Sequence, residues 1–128
     1  MAYLLTADIG GTTARFGLVP EGELRPDAVR IMYTADRPTP EAAARQFLAE
    51  TGNPKLIGAV IAWAGHIGPG PIGLTNGPWV LDRTTFGAEL GADDITVIND
   101  FEAVAEAIAH LGPQELVQVG GGQASPAP

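Results

Sequence analysis

Apolar residues come in short runs over the first third of this chain and then shift to helical spacing. Tyr3-Leu4-Leu5 with Ile9, and later Phe16 to Val19, predict strands over residues 3–9 and 14–19. Gly10-Gly11 between them predicts a tight turn. Pro20-Glu21-Gly22-Glu23 predicts another. Within Ala28 to Thr34, Val29, Ile31 and Tyr33 alternate with other residues, which predicts a third strand with one buried face. Three strands joined by short turns make an antiparallel meander.

The period then changes. Thr39-Pro40-Glu41 predicts a helix start, with Thr39 as N-cap, Pro40 in the first helical position and Glu41 at the positive end of the dipole. Ala43, Phe47 and Leu48 share one face, and Gly52-Asn53-Pro54 ends the helix. Leu56 to Trp63 is almost continuously apolar, the mark of a fully buried central strand. Residues 64–78 are rich in Gly and Pro, with a short strand over Ile72 to Thr75. Asp82-Arg83-Thr84-Thr85 opens a second helix that runs to Leu90, and Ile95 to Ile98 is a short buried strand. Asp100 to His110 reads as a third helix, with Phe101, Val104, Ala105 and Ile108 on one face, and Leu116 to Val119 as a last strand. The fold class is therefore α/β: a mixed sheet with an antiparallel edge, flanked by helices, its parallel crossovers right-handed. Residues 1–119 make one domain, and 120–128 have the Gly/Pro-rich composition of a linker or tail.

Composition narrows the setting. The chain has 128 residues, 45% of them hydrophobic and 17% charged, which describes a soluble globular domain able to bury a core. No apolar run approaches the roughly 18 residues of a membrane span. No secretory n-region is visible, and without cysteine there is no disulfide framework or thiolate metal site, so an intracellular, cytoplasmic location fits. The net charge is −8, and no lysine or arginine follows Arg83, which makes nucleic acid and acidic membranes poor partners. An anionic substrate would have to rely on backbone N–H groups, Arg15 and a bound cation.

Three segments carry candidate chemistry. In Ala7-Asp8-Ile9-Gly10-Gly11-Thr12-Thr13, two glycines let the backbone approach a ligand and turn N–H groups toward an anion. The threonine hydroxyls add donors, and Asp8 at a strand end could hold a metal ion or a metal-bound water. The segment matches neither a Walker A loop nor a G-x-G-x-x-G fingerprint, and an ordinary hairpin turn is the other reading. In Ile98-Asn99-Asp100-Phe101 an amide and a carboxylate stand where a strand meets a helix. Asp100 could accept a proton from a hydroxyl while Asn99 holds its neighbour. Asn99 and Asp100 also suit helix capping, Asn99 with Glu102 three residues on, and the two roles are compatible. Between these, Gly65 ends the central strand with little bulk, and Thr75-Asn76 offers a donor and acceptor suited to a polyol. Trp79 reads as core packing, Trp63 as core or interface, and His66 as a loop residue; the two histidines are not spaced as a zinc pair.

In this order and spacing, Asp8 to Arg15, Thr75 to Trp79 and Ile98 to Ala105 resemble the N-terminal domain of the bacterial glucokinase family, within the hexokinase-like and actin-like ATPase superfamily. The resemblance covers essentially the whole chain and implies a ribonuclease H-like fold. It implies a glycolytic transferase that phosphorylates glucose with ATP and Mg2+, with Ala7 to Thr13 at the ATP phosphates and Asp8 near the magnesium. It implies Asn99 on sugar hydroxyls, Asn76 and Gly65 bordering the sugar pocket, and Asp100 as the general base at the 6-hydroxyl. Thr13 stands where the family often has asparagine, a change between polar side chains. The resemblance leaves room for a homodimer. The family has a second, larger domain with the adenosine pocket, another Gly-rich turn and a Glu-x-x-His motif. None of these occurs in the 128 residues. The C-terminal domain is thus expected to be absent and the chain by itself to be inactive, since the mechanism needs two domains that close. Another sugar kinase subfamily, or a non-catalytic sugar-binding regulator on the same fold, remains as an alternative.

Overall fold

The first two apolar runs form β1 (Ala2–Ile9) and β2 (Thr13–Pro20), an antiparallel hairpin closed at Gly10, whose N–H donates to the Thr13 carbonyl (2.9 Å). The computed structural model describes residues 2–99. The predicted helix over Asp100 to His110, the strand over Leu116 to Val119, the tail, and Asp100 itself lie outside the described residues.

β3 (Ala28–Tyr33) completes the meander, and a 3₁₀ turn (Thr34–Asp36) leads into α1 (Pro40–Glu50). The predicted cap forms: Thr39 Oγ1 accepts the Ala42 N–H at 3.0 Å. Gly52 and Asn53 then take left-handed φ values of 91° and 51° and turn the chain into β4 (Lys55–Trp63). β5 (Ile72–Gly73) and β6 (Val80–Leu81) form a small two-stranded ribbon. β5 is shorter than predicted, and its partner β6 was not expected. α2 (Arg83–Leu90) starts on the Asp82 carboxylate, which accepts the N–H groups of Thr84 and Thr85, and ends at left-handed Gly91. β7 (Ile95–Ile98) follows.

The main sheet runs β3-β2-β1-β4-β7, with β1, β4 and β7 parallel. This is the predicted ribonuclease H-like arrangement of meander and parallel strands. One face carries Leu5, Ala7, Ile9, Phe16 and Ile61 against Ala43, Ala44 and Phe47 of α1 and Phe86 of α2, and Phe16 stacks on Phe47. The other face carries a smaller cluster of Leu4, Val19, Val60 and Ala62.

Three expectations need correction, the first being full burial of β4, where Ile57 is exposed at a register shift against β1. β3 has its alternation, but Val29, Ile31 and Tyr33 are exposed (Ile31 by 62%). Register explains this: Met32 lies opposite Ala14 on the helix-covered face, which places Ile31 opposite Arg15 on the other. β7 is also less buried than its sequence suggests, with Thr96 exposed, because it is the outer strand among the described residues.

Candidate functional site at the strand ends

Ligands in open α/β sheets bind beyond the carboxyl ends of parallel strands. Here those ends are level. Ile9 pairs with Trp63, and Ala62 with Ile98, so Asn99 stands one step on, beside Trp63. Backbone bonds tie the loops that leave these strands. The Ala64 N–H donates to the Ile9 carbonyl (3.0 Å), and the Thr75 N–H donates to the Ala64 carbonyl (3.0 Å).

The Gly-Gly turn meets the Thr75-Asn76 loop directly. A Cβ on Gly11 would collide with the Asn76 carbonyl, and one on Gly77 would come within 3.1 Å of the Gly11 Cα. Gly11 is therefore required for close packing between the two predicted segments. Gly10 is not. Its φ lies outside the left-handed region, and a Cβ there would meet only the Thr13 carbonyl oxygen, at 3.7 Å. The fold leaves open space at Gly10, where a ligand could approach the backbone.

Ala7 and Ile9 point into the helix-side core, so Asp8 between them faces the other side of the sheet, where it is half-buried. Burial pushes its carboxyl above the ordinary aspartate range, and cross-strand Arg15 pulls less strongly the other way. No group of three His, Asp or Glu that could hold a metal occurs among the described residues. A lone carboxylate does not fit a self-sufficient metal site. It does fit Mg2+, which commonly keeps several waters and binds through one or two carboxylates plus phosphate oxygens.

Thr12 and Thr13 are exposed on the turn, and Asn76 and Asn99 are exposed on their loops. Gly65 is half-buried, and a Cβ there would collide with the Gly73 carbonyl, so packing of the loop accounts for its glycine. Trp79 is 1% exposed and donates its indole N–H to the Arg37 carbonyl (2.9 Å); it is a core residue, as expected. Trp63 is likewise buried and donates to the Gly73 carbonyl (3.0 Å). His66 is exposed in its loop. No helix among the described residues is long and apolar enough to cross a membrane.

Sequence reasoning missed Thr34 and Gly77. Thr34 is 3% exposed, and its hydroxyl donates toward the carbonyls of Gly11 (2.7 Å) and Thr12 (3.2 Å). A buried threonine must find a partner, but the sequence does not say which.

A five-stranded mixed sheet with its loops gathered at the parallel strand ends is the arrangement of sugar kinases of the actin-like ATPase fold. The crystal structure of a glucokinase from an Antarctic psychrotroph matches 79% of this chain with a TM-score of 0.71 and 32% identity, over 33% of its own length. An inorganic polyphosphate/ATP-glucomannokinase from Arthrobacter sp. strain KM matches 89% of this chain with a TM-score of 0.54 and 27% identity, over 51% of its own. The glucokinase family model matches residues 5–128, and the chain belongs to that family. It is 41% identical over 122 residues to a glucokinase of Pseudomonas aeruginosa (strain LESB58), a match covering 94% of this chain and 36% of that protein. Against a glucokinase of Mesorhizobium japonicum it is 38% identical over 123 residues, covering 96% of this chain and 36% of the relative. The chain thus spans about a third of the length of the curated relatives it matches.

Proposed function

We propose that this chain supplies the small-domain half of a site that transfers the γ-phosphoryl group of ATP to the 6-hydroxyl of glucose, in the cytoplasm. The observation that carries the reading is the packing of Gly11 on Asn76 at strand ends where Asn99 is also level. It brings a turn suited to phosphates against the loop that carries Asn76, with Asn99 two strands away at the same end of the sheet. On this reading Ala7 to Thr13 line the phosphates, and Asp8 holds Mg2+ directly or through water. The ion would neutralise phosphate charge during transfer. Asn76 and Asn99 orient the sugar. Asp100, next after Asn99, takes the hydroxyl proton as the oxygen bonds to the γ-phosphorus and ADP leaves. Residues 1–119 serve as one domain and 120–128 as a linker to a second, which would carry the adenosine pocket.

The test combines the 128-residue chain with the C-terminal two thirds of the Pseudomonas aeruginosa relative and measures glucose 6-phosphate. The chain alone should form almost none, and the mixture should form it in an ATP-dependent way. Asp100→Asn, which keeps a capping side chain, should lower the rate by about 10²- to 10⁴-fold. An unchanged rate would leave Asp100 as a cap only. Glucose binding with no transfer in the mixture would favour a sugar-binding regulator.

A further inference from the structure

Thr34 ends the meander at the point where the chain turns away toward α1, and its contacts reach back over twenty residues to the Gly-Gly turn. The Thr12 carbonyl accepts the Thr34 N–H (2.9 Å) and, at 3.2 Å, only the longer arm of the single Thr34 hydroxyl proton. The Gly11 carbonyl has the hydroxyl as its only donor among the described residues, at 2.7 Å. A trans peptide is planar, with its C=O and N–H pointing in opposite directions. Anchoring the Gly11 carbonyl on Thr34 therefore aims the Thr12 N–H away from Thr34. That N–H has no acceptor among the described residues, and Thr12 is exposed. Thr34 is itself held: the Arg37 N–H donates to its carbonyl (3.3 Å), and Trp79 is bonded to the Arg37 carbonyl (2.9 Å).

We propose that Thr34 is the positioning residue of the phosphate turn: its hydroxyl fixes the Gly11–Thr12 peptide plane so that the Thr12 N–H faces the anion. This rests on the phosphate-binding reading of the turn. It assigns Thr34 no contact with substrate. Its effect passes through one peptide group, so it should bear on nucleotide more than on sugar, whose loop meets that peptide only by packing on Gly11.

The 128-residue chain, labelled with nitrogen-15, tests this by titration with Mg·ATP and separately with glucose. Thr34→Val keeps the shape and the backbone N–H but loses the hydroxyl, and Thr34→Ser keeps the hydroxyl. Thr34→Val should weaken Mg·ATP binding by about five- to tenfold, the worth of one hydrogen bond. Thr34→Ser should stay near wild type, and glucose binding should change clearly less than Mg·ATP binding in Thr34→Val. Equal Mg·ATP affinity in Thr34→Val, or Thr34→Ser as weak as Thr34→Val, overturns the proposal, as does a matching loss for glucose. If Mg·ATP moves no resonance of the wild-type turn, the phosphate reading fails instead. The clamp is then decided without ligand. A Thr12 amide whose shift and order parameter change in Thr34→Val but not in Thr34→Ser supports it, and an unchanged one overturns it.

Discussion

Gly10 and Gly11 are neighbours in sequence with opposite requirements. Alanine at Gly11 would drive a methyl group into the Asn76 carbonyl, which is backbone and yields poorly. Gly11→Ala should cost about 1–3 kcal/mol in urea unfolding, as overpacking does, and should disturb both loops. Alanine at Gly10 finds space and an acceptable φ, so stability should hold or rise by about 0.4–1 kcal/mol through a less flexible unfolded chain. The same methyl group would occupy the approach to the turn, so Mg·ATP binding should weaken. Unchanged binding in a folded Gly10→Ala variant would count against phosphate contact there. The sequence displayed both glycines but could not distinguish them, because the distinction lies in what Asn76, 65 positions away, brings against the turn. For the same reason Thr34 stayed hidden: its partners are carbonyls, which no side-chain pattern reveals.

At the scale of elements, β3 shows where pattern reading succeeds and where it stops. Alternation identified the strand. The choice of face came from the neighbouring strand's register, which hydrophobicity alone misread, since the apolar side is the exposed one. Met32→Ala should therefore cost about 2–3 kcal/mol in urea unfolding, and Ile31→Ala within about 0.5 kcal/mol. The reverse ranking would mean that the register is wrong by one residue. The helix starts were more legible, because Thr39, Pro40 and Asp82 act on backbone groups within a few residues of themselves. β4 was legible through its length, but Ile57 within it is exposed: a register shift between Tyr3 and Leu4 makes Ile57 the extra residue, and Gly58 packs on the Asp94 carbonyl. A bulge of this kind depends on the partner strand and leaves no local mark.

At the scale of the whole molecule, the acidic balance joins two carboxyls, among the described residues, whose environment works against ionisation. Asp8 is raised above its ordinary 3.8 mainly by burial. Glu41 is raised above 4.5 by burial first; the hydrogen bond from its own backbone N–H pulls it back, Glu89 repulsion raises it, Thr39 lowers it and Asp82 raises it least. Each holds its proton more tightly folded than unfolded. Between the ordinary and raised values the folded chain binds more protons, so stability increases as pH falls through that window. The contribution is complete below the ordinary values and is lost as pH rises through the folded ones. The net charge of −8 acts in the same direction, since protonation at any site relieves self-repulsion. The melting temperature should therefore rise as pH is lowered from neutrality toward the ordinary values of 4.5 and 3.8. Asp8→Asn with Glu41→Gln should raise the melting temperature at pH 7.5 and flatten the slope, leaving only the part due to overall charge. An equal slope in the double variant would assign the whole pH dependence to surface charge. Asp8→Asn alone separates stability from function: it should keep or raise the melting temperature while weakening the Mg2+-dependent part of ATP binding, because the carboxylate that the fold tolerates poorly is the one the proposed site requires.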